Sequence, residues 1–353
     1  MRKLCRARLS VGGYNALAPI EVQVYVNKGR NDTIMTRRVI DFHCDVLYKM
    51  LYEGKVNISQ EDLMDVTIPR LRQGNVGIQV LALFLEPHLL TGPPRFSQVL
   101  RAIDLYREHI QSHEDVIDIR WQEDLVRWNE QPDKLGMILS LEGVDALEGD
   151  MVYLRTIYEL GVRFLGLAWN NANWAVDGAQ EPRKAGFTRE GITLIQECDR
   201  LGITLDVSHL NEKAFWQLLE LTDKPIIASH SNSAYIMPHV RNLTDEQIRA
   251  IIARDGRIGV TYVPYFVAEK GRVEIEDLVR HIDRICELGG RNHIMLGSDF
   301  DGIDKKIVGL EHAGMHGDLL SVLDKKYGAA FTDEIASGNA KRFLAAHLPR
   351  REQ

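Results

Sequence analysis

The sequence predicts a single (β/α)8 TIM barrel over residues 39–348, and three observations point to that fold class. Eight short runs rich in Val, Ile and Leu recur along the chain, stretches with helical apolar spacing separate them, and five of the eight end in a His, Asp or Glu. Short apolar runs bounded by Gly, Asn or Pro read as strands buried on both faces, the kind found in parallel sheets. Their alternation with helices through about 310 residues suits one closed barrel better than two domains.

The first run, Val39-Ile-Asp-Phe-His43-Cys-Asp45, carries two polar ends. The second, Val76-Gly-Ile-Gln-Val-Leu-Ala-Leu-Phe84, precedes a stretch from Phe96 to His113 in which Val99, Leu100, Ile103 and Ile110 keep helical spacing. The third is Met137-Ile-Leu-Ser-Leu-Glu142-Gly143 and the fourth Val162-Arg-Phe-Leu-Gly-Leu-Ala168. Arg189 to Leu201 shows another apolar stripe and stops at Gly202, a common helix terminator. The fifth and sixth runs are Ile203-Thr-Leu-Asp-Val-Ser-His209 and Pro225-Ile-Ile-Ala-Ser-His230. Thr244-Asp-Glu-Gln247 before Ile248 matches a capping box, in which Thr accepts from a free backbone N–H and Gln reaches back. The seventh run, Arg257-Ile-Gly-Val-Thr-Tyr262, leads to a helical stretch from Glu274 to Leu288 that ends at Gly289. His293-Ile-Met-Leu-Gly-Ser-Asp299 is the eighth. No internal repeat, low-complexity tract or linker interrupts the chain after residue 39.

Composition fits an ordinary globular enzyme. The 353 residues are 45% hydrophobic and 26% charged, enough to bury a large core. A net charge of −7 without a basic run argues against nucleic acid as a partner. No stretch reaches the 18 or so apolar residues of a membrane span, and Phe343 to Gln353 is not a lipid-anchor signal. The cysteines at 5, 44, 198 and 286 form no Cys-x-x-Cys pair and read as reduced thiols of a cytoplasmic protein. Residues 1–38 read as an N-terminal extension, disordered or upstream of a natural start at Met35. Their basic start lacks the apolar core of a signal peptide, and Glu21 to Val26 alternates like a short added strand. Residues 349–353 read as a tail.

The ends of the runs carry the chemistry. In a parallel barrel, catalytic groups come from the C-terminal ends of several strands. Two His, a His-x-Asp pair, a Glu and a last Asp are the ligand types of a two-metal hydrolase. His43 and Asp45, two apart, would point to one side of an extended strand and grip one cation, while Cys44 points away as a small buried hydrophobe. A His hydrogen-bonded to a neighbouring Asp is the plain alternative. Glu142 has two oxygens and can bridge two cations, or it caps a helix. His209 and His230 follow Val-Ser and Ala-Ser at the ends of adjacent runs, so their imidazoles can share one metal. Asp299 suits proton transfer to and from a water, with Asp301 read as a turn residue beside Gly302. Arg241 offers a fork for a carboxylate, with a surface Arg before a capped helix as the alternative.

The segments Asp41-Phe-His-Cys-Asp45, Leu141-Glu-Gly143, Asp206-Val-Ser-His209, Ala228-Ser-His-Ser231, His239-Val-Arg-Asn242 and Gly297-Ser-Asp-Phe-Asp-Gly302 resemble, in order, the renal (membrane) dipeptidase family of zinc metallopeptidases. The resemblance covers about residues 39 to 345 and is closest to the bacterial, cytosolic-type members. It implies two zinc ions, with His43, Asp45 and Glu142 on one and Glu142, His209 and His230 on the other. It also implies Asp299 as acid/base, and Arg241 with Asn242 on the substrate carboxylate. The implied reaction is hydrolysis of a dipeptide's amide bond through a metal-bridging hydroxide, including dipeptides with a D-residue at the C-terminal position. The implied partners are small dipeptides, and the implied assembly is a homodimer. Where the animal enzymes carry a substrate-contacting His after the fourth strand, this chain reads Leu167-Ala-Trp169-Asn-Asn171, so Trp169 takes that place. The secretion and lipid-anchor signals of the animal enzymes are also lacking. The rival reading is a hydrolase of the same fold that acts on another amide or lactam, such as an N-acyl amino acid.

Overall fold

The computed structural model describes residues 37–86, 95–269 and 271–351. Nine parallel strands run through it: β1 Val39–Asp41, β2 Val76–Phe84, β3 Val116–Asp118, β4 Leu135–Glu142, β5 Val162–Gly166, β6 Thr204–Asp206, β7 Ile227–Ala228, β8 Arg257–Val260 and β9 Ile294–Leu296. Eight of them close a ring in the order β2-β1-β9-β8-β7-β6-β5-β4, completed by the β2–β4 pairing. These eight are the eight apolar runs.

Strand β3 is the element that the sequence reading did not anticipate. It pairs only with the start of β4, Val116↔Leu135 to Asp118↔Met137, on the side that β5 takes over from Leu139 onward. It therefore extends the sheet outside the ring. The β2–β4 seam has the longest unbroken register, from Ile78↔Gly136 to Phe84↔Glu142, and carries Phe84 and Glu142 to the same height at the barrel mouth.

Alternation along the strands divides the core into two apolar clusters. Ile40, Phe42, Ile78, Val80, Ile138, Phe164, Ile227 and Met295 form the inner one, which Phe343, Leu344 and Leu348 at the C-terminal end of the chain complete. The outer layer packs the other strand faces against the surrounding helices. At the β7–β9 side the backbones approach closely: a Cβ at Gly297 would stand 1.8 Å from the Ser229 carbonyl oxygen, and one at Gly259 1.9 Å from it. Only glycine permits that contact.

Helix boundaries follow their local signals. Helix Arg189–Leu201 starts at Thr188, whose hydroxyl accepts from Gly191 N–H, and ends at Gly202 with φ +76°. Helix Asp245–Ala253 has the anticipated capping box between Thr244 and Gln247. The stretch from Phe96 splits into an α-helix, Phe96–Tyr106, and a π-helical turn, Arg107–Gln111. Helix Ile275–Glu287 lies within its expected limits. The alternating segment from Glu21 to Val26 lies outside the described residues, as does all of 1–36. Among the described residues no helix is long and apolar enough to cross a membrane.

Candidate metal centre

Six of the sequence-predicted residues meet at the C-terminal mouth of the ring. Glu142, the last residue of β4, stands between the others. Its Oε2 is 3.3 Å from His43 Nε2, and its Oε1 is 2.8 Å from His209 Nε2 and 3.8 Å from His230 Nε2. His43 Nε2 is also 3.5 Å from Asp45 Oδ2 and 3.9 Å from Asp299 Oδ1. Two ligand groups can be drawn within this cluster: His43, Glu142 and His230, and His43, Asp45 and Asp299.

The pairing of His43 with Asp45 arises differently from simple strand alternation. Strand β1 ends at Asp41, Cys44 makes an isolated bridge to Phe300, and Asp45 starts helix Val46–Glu53. The bend turns Asp45 back toward His43. His209, after β6, and Asp299, after β9 and beside β1, sit at φ +71° and +68°, backbone conformations that cost a non-glycine residue energy and are held by their surroundings. Gly302 makes room for the carboxylates, since a Cβ there would lie 2.1 Å from Asp45 Oδ2 and 2.6 Å from Asp299 Oδ1.

Hydrogen bonds behind the imidazoles orient the rings. Asp206 at the end of β6 accepts from Ser208 N–H and Ser229 N–H, each at 2.9 Å, and from the Ser229 hydroxyl. Because the Ser229 proton goes to Asp206, its oxygen accepts from His230 Nδ1–H at 2.7 Å. His209 Nδ1 faces Asn170 Oδ1 at 2.9 Å. His230 therefore turns a bare Nε2 lone pair toward His209 Nε2 at 2.9 Å, and with Glu142 Oε1 2.8 Å from the latter the three atoms form a donor set that fits a cation. Asp41 plays the matching part under His43: it accepts from Ser298 N–H at 2.9 Å, Ser298 hydroxyl at 2.6 Å and His43 N–H at 3.4 Å.

Electrostatics favours a cation in the same place. Burial, with the Arg241 charge adding to it, lowers His209 to about 4, and burial with His43 nearby holds His230 well below the usual imidazole value. Both are neutral, as ligation requires. Burial disfavours charge on His43, but Glu142 and Asp45 together raise it well above its usual value. Asp299 is pushed up to about 8 by burial, which His43 opposes and Asp45 and Glu142 reinforce. His43 Nε2 and Asp45 Oδ1 are buried and have no hydrogen-bond partner among the described residues. A nitrogen-and-carboxylate set with these unpaired buried atoms fits metal binding.

Asp45, Glu142, His209 and Asp299 open into a cavity of about 300 Å³ walled by Phe84, Trp169, Tyr265 and Phe266. The Trp169 ring lies 5.2 Å from Phe84 and 6.2 Å from His209. Arg241 and Asn242 line a neighbouring cavity of about 470 Å³. Arg241 is buried, its guanidinium is 5.5 Å from the Phe266 ring, and its Nε and Nη2 have no acceptor among the described residues. Burial lowers it to about 10 against the pull of Glu142 and Asp299. Asn242 donates through its amide nitrogen to Met237 O at 2.9 Å and Phe266 O at 2.8 Å. Asp301 accepts from Asp65 N–H at 2.8 Å and Val66 N–H at 2.9 Å, so it latches a loop as well as making a turn.

Sequence reasoning missed Asp41, Asp206 and Asn170 as functional positions. The first two carried a readable signal: a carboxylate inside an apolar run, with a Ser-His or Ser-Asp at the end of a neighbouring one.

Comparisons with known proteins identify the family. The sequence matches the family described as membrane dipeptidase (peptidase family M19) over residues 30–350. A protein of Klebsiella pneumoniae is 38% identical over 179 residues, which is 48% of this chain and 66% of that protein. A protein of Schizosaccharomyces pombe described as an uncharacterized dipeptidase is 30% identical over 325 residues, covering 86% of this chain and 79% of the relative. A solved structure described as a dipeptidase and metallopeptidase of family M19 superposes with a TM-score of 0.81 at 25% identity, covering 89% of this chain and 99% of that one. The chain belongs to the membrane dipeptidase family and is a metallopeptidase built on a (β/α)8 barrel.

Proposed function

We propose that the chain hydrolyses the amide bond of dipeptides with the help of two zinc ions. His43, Asp45 and Glu142 would hold one ion, and Glu142, His209 and His230 the other. The observation that carries the proposal is the convergence of three imidazole Nε2 atoms on the two oxygens of Glu142. When bound, zinc supplies Lewis acidity and a water acidic enough to lose its proton near neutral pH.

The residues of the chain do the rest. Asp299, placed 3.9 Å from His43 Nε2 at the mouth, would in its ionised form take the proton of a water and deliver it to the departing amine. The Arg241 fork grips the substrate's C-terminal carboxylate, while Asn242 ties down the loop that carries Arg241. Because that grip engages the carboxylate and not the side chain, dipeptides with a D-residue at the C-terminal position fall within the proposed range. Trp169 and Phe84 supply an apolar wall, which favours dipeptides with apolar side chains.

The test is a dipeptide library, with L,L and L,D pairs, assayed on zinc-loaded protein beside elemental analysis. Two zinc ions per chain and turnover of Ala-Ala but not N-acetyl-Ala are expected. One tightly bound metal, or preference for the acylated amino acid, would overturn the proposal.

A further inference from the structure

We infer that Asn170 serves the reaction with both ends of its amide. The oxygen clamps His209, and the NH2 group donates to the scissile carbonyl oxygen as that oxygen gains negative charge. The inference rests on the dipeptidase reading and assigns it a residue that neither motif nor spacing identified.

The direction of the amide follows from the histidine. His209 Nε2 faces Glu142 Oε1 at 2.8 Å and His230 Nε2 at 2.9 Å, the place where the proposed ion would sit; with Nε2 ligating that ion, the proton of the neutral ring resides on Nδ1. That N–H needs an acceptor, and Asn170 Oδ1 provides it at 2.9 Å. The amide rotation is thereby fixed, with the NH2 on the other branch. Asn170 is half-buried and lines the 300 Å³ cavity with Glu142, His209 and Asp299, and no group among the described residues accepts from its NH2. Its backbone is pinned as well. Gln180 N–H donates to Asn170 O at 2.8 Å, and Gly178 packs so tightly that a Cβ there would lie 2.0 Å from Trp169 O.

Amide hydrolysis places charge on the carbonyl oxygen, and fixed donors aimed at it are among the largest contributions to rate. Most polar walls of this cavity are carboxylates, which repel such charge. Among the other cavity donors, the Tyr48 hydroxyl donates to Glu86 at 3.1 Å and Lys49 to Glu53 at 2.8 Å, while Tyr265 is exposed on the far wall of residues 263–266. The Asn170 NH2 is set apart by its carrier, the side chain whose oxygen holds His209, itself 2.8 Å from Glu142.

Two substitutions separate the two ends. Asn170→Asp keeps an acceptor for His209 and removes the donor, whereas Asn170→Leu removes both. With zinc content, thermal melting and kinetics measured together, Asn170→Asp should bind zinc like the wild type. Its kcat on Ala-Ala should fall about 10²–10³-fold with little change in KM. Asn170→Leu should lose zinc in addition. A phosphinate analogue of a dipeptide, titrated calorimetrically, gives an arm independent of turnover, and Asn170→Asp should weaken it about 100-fold. Wild-type kcat and phosphinate affinity in Asn170→Asp overturn the inference, and so does loss of zinc in that variant. Failure of the wild type to cleave any dipeptide counts instead against the dipeptidase reading.

Discussion

Asp299 and Asp301 lie two positions apart, both with raised carboxyls, yet their contacts separate them. Asp301 is hydrogen-bonded to the backbone of Asp65 and Val66, whereas Asp299 faces His43 in the metal centre. Asp299→Asn should therefore keep the melting temperature and lower kcat about 10²–10⁴-fold, equivalent to roughly 3–5 kcal/mol of barrier. Asp301→Asn should lower the melting temperature and leave kcat within about tenfold of wild type. Measuring both properties on both variants decides the matter, and the reverse pattern would exchange the two roles. His281 supplies a pH dependence away from the centre. It is buried, accepts from Ser233 N–H at 3.0 Å and donates to Val267 O at 2.9 Å, and burial lowers it to about 4. A depressed imidazole stabilises the fold above its unfolded value near 6.5, and that stability is lost as pH falls toward 4. Between pH 8 and pH 5 the loss is about 2 kcal/mol. His281→Gln should melt lower at pH 8 but lose less on going to pH 5, and an unchanged pH slope would refute the assignment. The strand-end His, Glu and Asp residues were legible because polar groups closing apolar runs are conspicuous. Asn170 was not, because a loop asparagine among Asn171 and Asn173 carries no pattern of its own.

Among the elements, all eight barrel strands were legible, since each is an apolar run with its own punctuation. Strand β3 was not: Val116-Ile-Asp118 is too short to show a period, and its place is set by the exposed start of β4. The π-helical turn after Tyr106 was equally silent, because its apolar spacing differs little from that of the helix it extends. Two glycines test how backbone approach constrains these elements. Gly297→Ala would drive a Cβ into a backbone carbonyl that has no free rotation, so destabilisation by about 3 kcal/mol is expected. Gly317, in helix His316–Tyr327, has nothing within 4 Å of a built Cβ. Gly317→Ala should stabilise by about 0.5–1 kcal/mol. Chemical denaturation of the two variants checks both, and equal effects would mean that the close approach at Ser229 is not limiting.

For the whole molecule, the concentration of charge at one end of the barrel links metal to folding. His43, Asp45 and Glu142 are buried together beside the partly buried Asp299, and the unfolded chain can hold no equivalent arrangement. A ligand that binds only the folded state stabilises it by roughly 4 kcal/mol at a thousandfold excess over Kd. Stripping metal with a chelator should lower the melting temperature by several degrees, and titrating zinc back should restore it in a concentration-dependent way. A melting temperature indifferent to chelation would mean that the centre is structurally inert.

Strand β1 pairs with β9 at Asp41↔Leu296, so the ring closes between residues made early and residues made late. At ribosomal speeds of about 5–20 residues per second, the first strand waits on the order of 10–50 s for its second neighbour to be synthesised. The proposed site is divided by the same interval, with His43 and Asp45 at one end of it and Asp299 at the other. The Phe343 and Leu344 side chains of the inner apolar cluster arrive later still. Nascent chains thus expose half-built apolar strands until β9 has been made. The proposed site therefore requires a chain extended at least through Asp299.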